Sequence, residues 1–315
     1  MSEIHAPGSR SLVEEVNDNA WILGRVMISR HHSKPSQPCW EDGFGAFFTI
    51  AEAPSPKPDT RPASASCPII DALKTSQLES GLWQIGLAYL GTVLDIGTKE
   101  HSTLEALAEK SPDFDVPEVH YHGVHDGVYH VVYSLLLSRS IAEVWPTAND
   151  ALRTKWTQQI AEAYHDLSKW RGERICGLDG GNLNINLLSK GPWEDSAAYN
   201  PNVLRENLEE VGLDCSELVF AHNNTSPLSF MVLDSPGLIG ITGWGDAGFV
   251  PKDWVRTQTR LNSFGDSLTV VKSTWSESDM ADWEAKIDSA LAEKGFREYS
   301  EKHRNWLNQT RSREV

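Results

Sequence analysis

The chain has 315 residues, 40% hydrophobic and 23% charged, with a formal net charge of −16. That length and composition describe a globular protein with one large core or two of ordinary size. The charge argues against nucleic acid and anionic membranes as partners, because a like-charged surface repels both. No apolar run reaches membrane-spanning length, and the start, MSEIHAPGSR, lacks the basic-then-apolar pattern of a signal peptide. Cys39, Cys67, Cys176 and Cys215 have no metal-type spacing and read as reduced thiols of a cytoplasmic protein. The sequons at Asn223 and Asn308 therefore carry no weight. Twelve tryptophans leave room for an aromatic-lined pocket.

In chain order, residues 1–20 read as a polar lead-in and a short helix. The apolar runs 20–29 and 40–50, separated by a proline break at 35–38, read as strands. Five prolines in 54–68 mark a surface loop. Residues 82–96 read as two strands turning at Gly86 or Gly91. Ser102 with Glu105 three residues on is a capping-box pattern that opens a helix. Residues 116–137 alternate apolar and polar about Asp126-Gly127, a hairpin signal. Then the character turns helical. Leu152, Trp156, Ile160, Tyr164, Leu167 and Trp170 recur every three or four residues, predicting one long amphipathic helix. A second helix spans 203–211, stopped by Gly212. Short strands are expected at 218–220, 229–233 and 238–242, and a last helix over 281–293 closed by Gly295. The basic tail 302–313 reads as solvated. Strands first and helices second predict an α+β protein of two lobes, 1–135 and 136–315, with a hinge near 133–140.

Two segments carry the chemistry. One is Phe220-Ala221-His222-Asn223-Asn224-Thr225-Ser226-Pro227-Leu228-Ser229-Phe230-Met231-Val232. The other is Ile239-Gly240-Ile241-Thr242-Gly243-Trp244-Gly245-Asp246-Ala247-Gly248-Phe249-Val250-Pro251. Together they resemble a fungal branch of the aminoglycoside-phosphotransferase family. That family has His, a small residue, Asp and, five residues on, Asn; later come an apolar strand, Asp-Trp-Glu and Ala-Gly. The resemblance extends to Asn19-Ala20-Trp21-Ile22-Leu23-Gly24, His101-Ser102-Thr103-Leu104-Glu105-Ala106-Leu107, Val116-Pro117-Glu118-Val119 and Trp254-Val255-Arg256-Thr257, covering about residues 16–296. It implies a protein-kinase-like fold with a β-rich N-terminal lobe and a larger helical C-terminal lobe.

Phosphoryl transfer needs a group to orient the attacking hydroxyl, an Asn and an Asp for magnesium, and a Lys for the nucleotide phosphates. By the resemblance, Asn224 stands at the base position, and an amide accepts no proton at neutral pH. Ser229 and Gly243 stand at the metal positions, a poor oxygen donor and no donor at all. The strand Ala88-Tyr89-Leu90-Gly91-Thr92-Val93-Leu94 holds no Lys; only Glu105, that lysine's partner, remains. Without these groups no magnesium-nucleotide chemistry is expected, and the resemblance then implies no cofactor and no metal.

Other patterns carry less. His120, His122, His125 and His130 crowd one hairpin, but no Cys or carboxylate cluster joins them at zinc or nickel spacing. Gly265-Asp266-Ser267-Leu268 spells a hydrolase motif far from its usual N-terminal place and without a following Asp-x-x-His. Asp179-Gly180-Gly181-Asn182 reads as a turn. His222 is either the structural support of its loop, the role of its family counterpart, or a titratable group beside a cavity. Asp246 is either a displaced acid or a turn residue.

The expectation is an enzyme of fungal secondary metabolism that cyclises or isomerises a largely apolar small molecule without a cofactor, pericyclic reactions included. Asn224, His222 and Ser229 would be the hydrogen-bond donors. Asn223, Ser226, Trp244, Asp246 and Trp254 would contact the substrate. A non-catalytic pseudokinase binding a ligand or protein, and a weak small-molecule kinase, are the alternatives. The oligomeric state stays open.

Overall fold

The computed structural model describes residues 12–72, 81–191, 195–265 and 268–311. Residues 1–11, Asp266 and Ser267 of the hydrolase-like motif, and the end of the basic tail lie outside the described residues. The chain divides into two compact units, Met1–Asp95 with Glu118–Leu135, and Ile96–Pro117 with Leu136–Val315. A β-rich unit and a mainly helical unit make the protein α+β.

The first unit holds two antiparallel sheets. β1 (Val13–Asn17), β2 (Ala20–Leu23), β3 (Val26–His31), β4 (Trp40–Glu41), β5 (Phe47–Glu52) and β6 (Arg61–Pro62) are ordered β4-β5-β3-β2-β1-β6. β7 (Ile69–Asp71), β8 (Gly81–Ile85), β9 (Ala88–Leu94), β10 (Val119–His125) and β11 (Val128–Ser134) are ordered β10-β11-β9-β8-β7. Trp21, Ile28, Trp40, Phe48, Trp83 and Leu90 anchor the core of this unit.

β1 replaces the short helix expected before residue 20. Val13 and Glu15 are buried while their neighbours are not, the two-residue period of a strand. Glu15 tolerates burial because Arg61 and the Ser64 amide bond its carboxylate, holding its pKa down at about 2. The proline-rich stretch is a loop tied to β1 at its middle, where Arg61 and Pro62 pair with Glu15 and Glu14. The β8–β9 turn falls at Gly86, whose φ of +59° suits glycine, and Gly91 lies inside β9. The Asp126-Gly127 turn joins β10 to β11 as expected. Three of the hairpin histidines go into packing and His122 is exposed: His120 stacks on Trp40 at 6.4 Å, His125 takes the Tyr121 hydroxyl at 2.7 Å, and His130 is buried. Among the described residues no group of His, Cys, Asp and Glu is placed to hold a metal ion.

The second unit opens with α1 (Glu100–Lys110). The division at residue 135 therefore needs correction, because 96–117 leaves the first lobe. Hydrogen bonds near both of its ends hold it in the second unit. Asp179 accepts from Thr98 Oγ1 and the Lys99 amide, both at 2.8 Å, and the Asp115 amide donates to Ile239 at 2.7 Å. Asp179 thus caps α1, whereas the expected capping box places Ser102 two residues inside the helix.

In chain order follow β12 (Arg139–Ser140), α2 (Ile141–Val144), α3 (Asp150–Leu167), β13 (Arg171–Gly172), α4 (Pro201–Val211) and β14 (Leu218–Ala221). Then come β15 (Phe230–Val232), β16 (Leu238–Ile241), β17 (Gly248–Pro251), α5 (Trp254–Leu261), α6 (Leu268–Thr274), α7 (Glu277–Glu293) and α8 (Ser300–Arg311). β12, β15 and β16 form one small antiparallel sheet, and β13, β14 and β17 another. α3 buries Trp156, Ile160, Tyr164 and Leu167 but ends before Trp170, which stacks on Phe220 at 5.0 Å. Gly212, at φ +92°, closes α4. In the described part of the basic tail Lys302 and Arg304 are exposed, as expected, but the segment is helical and docked on one side. It forms α8, anchored by buried His303 and by Trp306, whose Nε1 donates to Glu210 at 2.8 Å. No helix of the described residues is long and apolar enough to cross a membrane.

Candidate functional site

β14 ends at Ala221 and β16 at Ile241, and the loops that follow, 222–229 and 242–247, are bonded to each other. The Thr242 amide donates to the Ser229 carbonyl at 2.9 Å, and Asn223 Nδ2 donates to the Asp246 carbonyl at 3.0 Å. His222 stitches the same pair: Nδ1 lies 2.9 Å from the Asn224 carbonyl and Nε2 2.9 Å from that of Thr242. A neutral imidazole has one N–H. Tyr164 already donates to the Asn224 carbonyl at 2.9 Å, so the Nε2–H tautomer, donating to Thr242, leaves neither carbonyl unpaired.

His222 has no exposed surface, and burial pushes its pKa down to about 4. The expected role as a donor to substrate therefore does not fit this geometry. His222 is a structural brace, with its ring edge-on to Trp244 at 4.4 Å.

Asn224 and Ser229 do converge. Asn224 Oδ1 accepts the Ser226 amide at 2.9 Å, which leaves Nδ2 directed at Gly243. A Cβ at Gly243 would lie 2.9 Å from Asn224 Nδ2 and 3.1 Å from Ser229 Oγ. Three residues from two loops thus surround one point with an amide, a hydroxyl and a bare backbone. Gly243 also sits at φ +76°, where a side chain is strained. Gly243→Asp is expected to cost about 1–3 kcal/mol in urea denaturation. Adding Asn224→Ala should recover part of that loss, since the two side chains collide; strictly additive losses would deny the contact.

Other expected site residues take different places. Asn223, at φ +59° and buried, braces the loops: its carbonyl accepts from Gln258, and its Oδ1 has no hydrogen-bond partner among the described residues. Ser226 is buried and accepts the Leu228 amide at 3.2 Å. Asp246 is exposed at the tip of its loop. Trp244 is fully buried, stacked on Phe114 at 6.1 Å, with Nε1 donating to Ile241. Trp254 is fully buried on α5, its ring 5.8 Å from that of His303. Both indoles are core, not pocket wall, because neither presents a face to solvent.

Glu100 is the residue that sequence reasoning missed. It is the first residue of α1 and accepts the Trp244 amide at 2.8 Å, next to Gly243. Burial pushes its pKa up to about 7; the Trp244 N–H works against that rise, and Asp246 adds to it. Some solvent still reaches the side chain. Glu105, singled out from the sequence, is exposed. Five residues rotate a helix by about 140°, so the two glutamates occupy different faces. The only sequence signal for Glu100 is an acid in the first turn of a helix. Chemically, the loops offer neutral hydrogen-bond donors beside a carboxyl group that exchanges its proton near neutrality.

No protein-family model and no curated protein sequence matches the chain. Among solved structures it is similar to aminoglycoside-3′-phosphotransferase of type VIII, at 16% identity and TM-score 0.39, over 67% of this chain and 89% of that one. A thermostable mutant of aminoglycoside phosphotransferase APH(4)-Ia matches at 13% identity and TM-score 0.42, over 78% of this chain and 94% of that one. The gentamicin complex of APH(2")-IIa matches at 12% identity and TM-score 0.40, over 78% and 89%. The α+β assignment stands on the chain's own strands and helices.

Proposed function

We propose that this chain is an enzyme that cyclises or isomerises a small, largely apolar molecule, pericyclic reactions included, and uses neither nucleotide nor metal ion. The reading extends to secondary metabolism in the cytoplasm of a fungus; the resemblance implies the fungal source, and the unpatterned cysteines suit the cytoplasm. One observation carries it. Asn224, Ser229 and Gly243 converge at the positions where the resemblance would place a catalytic base and two magnesium ligands.

An amide, a hydroxyl and a glycine offer no carboxylate to a hard cation. They suit a neutral carbonyl or hydroxyl, which an amide N–H can orient and polarise. Glu100 would hold or deliver a proton at its carboxyl oxygen, since its pKa of about 7 lies near working pH. A net charge of −16 further disfavours a polyphosphate ligand.

Disrupting the gene in its source organism, followed by metabolite profiling, tests the reading. A compound is expected to accumulate that is an isomer of the one that disappears. Re-expressed wild type restores the product, and Asn224→Ala does not. A missing compound that differs from its precursor by one phosphoryl group overturns the proposal. So does clear thermal stabilisation of the purified protein by magnesium-ATP. If no metabolite changes, a non-catalytic pseudokinase that binds a small ligand or a protein replaces the enzyme.

A further inference from the structure

Gln159, Glu162, Ala163, Asp166 and Leu167 recur along α3 at steps of three and one, so they share one face of that helix. That face floors a cavity of about 360 Å³ lying wholly within the second unit. Trp170 and Phe114 contribute aromatic surface, and Leu238 and Ala163 aliphatic surface. The volume sits near the lower end of the range for small-molecule sites, roughly 300–1,000 Å³.

Charge decides what fits. One lysine, Lys110, and three carboxylates, those of Asp113, Glu162 and Asp166, line the cavity. Its ammonium lies 5.6 Å from the centre of the Trp170 ring, so that aromatic face already receives a cation. Glu162 pairs with Lys294 and Asp166 with Lys169, both largely exposed ion pairs. Such pairs contribute little, so a ligand's ammonium can share these carboxylates without a large loss. Lys169 and Lys294 stand outside the lining, so an anion in the cavity would meet three lining carboxylates against one lining lysine, and a neutral molecule would leave the carboxylates unused.

We propose that this cavity binds a small organic cation, a monoamine carrying an aromatic or branched aliphatic body. Its body lies on Leu167, Ala163 and Phe114, and its ammonium between Asp113 and Asp166. The site is distinct from the convergence point at Gly243 and does not depend on the reaction proposed there.

Titration calorimetry on the full chain at low ionic strength tests it with phenethylammonium, 2-phenylethanol and phenylacetate. Phenethylammonium is expected to bind saturably, about fivefold or more tighter than the alcohol, with no detectable binding of the anion. Asp166→Asn and, from the opposite wall, Asp113→Asn should each weaken the amine about threefold and leave the alcohol unchanged. Neither side chain is buried, so both variants are expected to melt like wild type. Equal binding of amine and alcohol overturns the proposal, as does unchanged amine affinity in both variants. Absence of saturable amine binding also overturns it, and a lysine-rich peptide that binds in its place would point to a protein partner.

Discussion

Glu100→Gln is expected to stabilise the protein by about 2 kcal/mol above pH 7 and, on the proposed function, to lower turnover by about 10²- to 10⁴-fold. In the folded chain the carboxyl titrates at about 7, against 4.5 when free in solution. The folded state therefore holds the proton more tightly than the unfolded state. The stability this contributes is fully present below about pH 4.5 and is lost as pH rises through 7. Above that, the wild type carries an ionised carboxylate in a poorly solvated place. The full shift corresponds to about 3 kcal/mol, reduced here because some solvent reaches the side chain. Gln still accepts the Trp244 amide but carries no charge. Urea denaturation at pH 5 and pH 8 reads the effect as a gap between variant and wild type that opens only at the higher pH. A gap of equal size at both values would mean that Glu100 is solvated like an ordinary surface glutamate. Loss of turnover without a change in the pH profile would make it a positioning residue.

The second large effect is expected at His222, with the opposite pH sense. Its folded pKa of about 4 lies below the 6.5 of a free imidazole, because burial penalises the charged form. Its contribution is therefore present above pH 6.5 and is lost as pH falls through 4. His222→Ala should cost about 3–5 kcal/mol at pH 7, through the cavity opened beside Trp244 and the unpaired carbonyl of Thr242. On acidification the wild type pays to protonate a buried ring and the variant does not, so the difference narrows toward pH 4. His130, also held at about 4 by burial, and Glu15, held at about 2, keep the variant acid-sensitive. Denaturation curves at pH 7 and pH 4.5 separate the cases. A constant difference would show that His222 is not the neutral, buried brace described above.

Legibility followed the range of the forces involved. The β10–β11 hairpin, α3, α4 and α7 were readable because turn residues and hydrophobic period act within one element. β1 was not, since Glu15 looks like a surface residue until Arg61, 46 positions on, bonds it. The cap of α1 is illegible for the same reason: Asp179 lies 80 positions from the Lys99 amide it caps. α8 reads as a charged tail because its buried ring residues, His303 and Trp306, are few among many polar ones.

The sequence by itself determined the β10–β11 hairpin, the helices α3, α4 and α7, the loops around Asn224 and Gly243, and the absence of carboxylates at Asn224, Ser229 and Gly243. Those are matters of residue identity and local period. Only the tertiary structure decided that these three residues meet, that His222 turns both nitrogens onto backbone carbonyls, and that Trp244 and Trp254 are core. It alone decided that Glu100, not Glu105, reaches the site. Desolvation and hydrogen-bond partners depend on what packs against a residue from distant parts of the chain, and a linear pattern does not encode that.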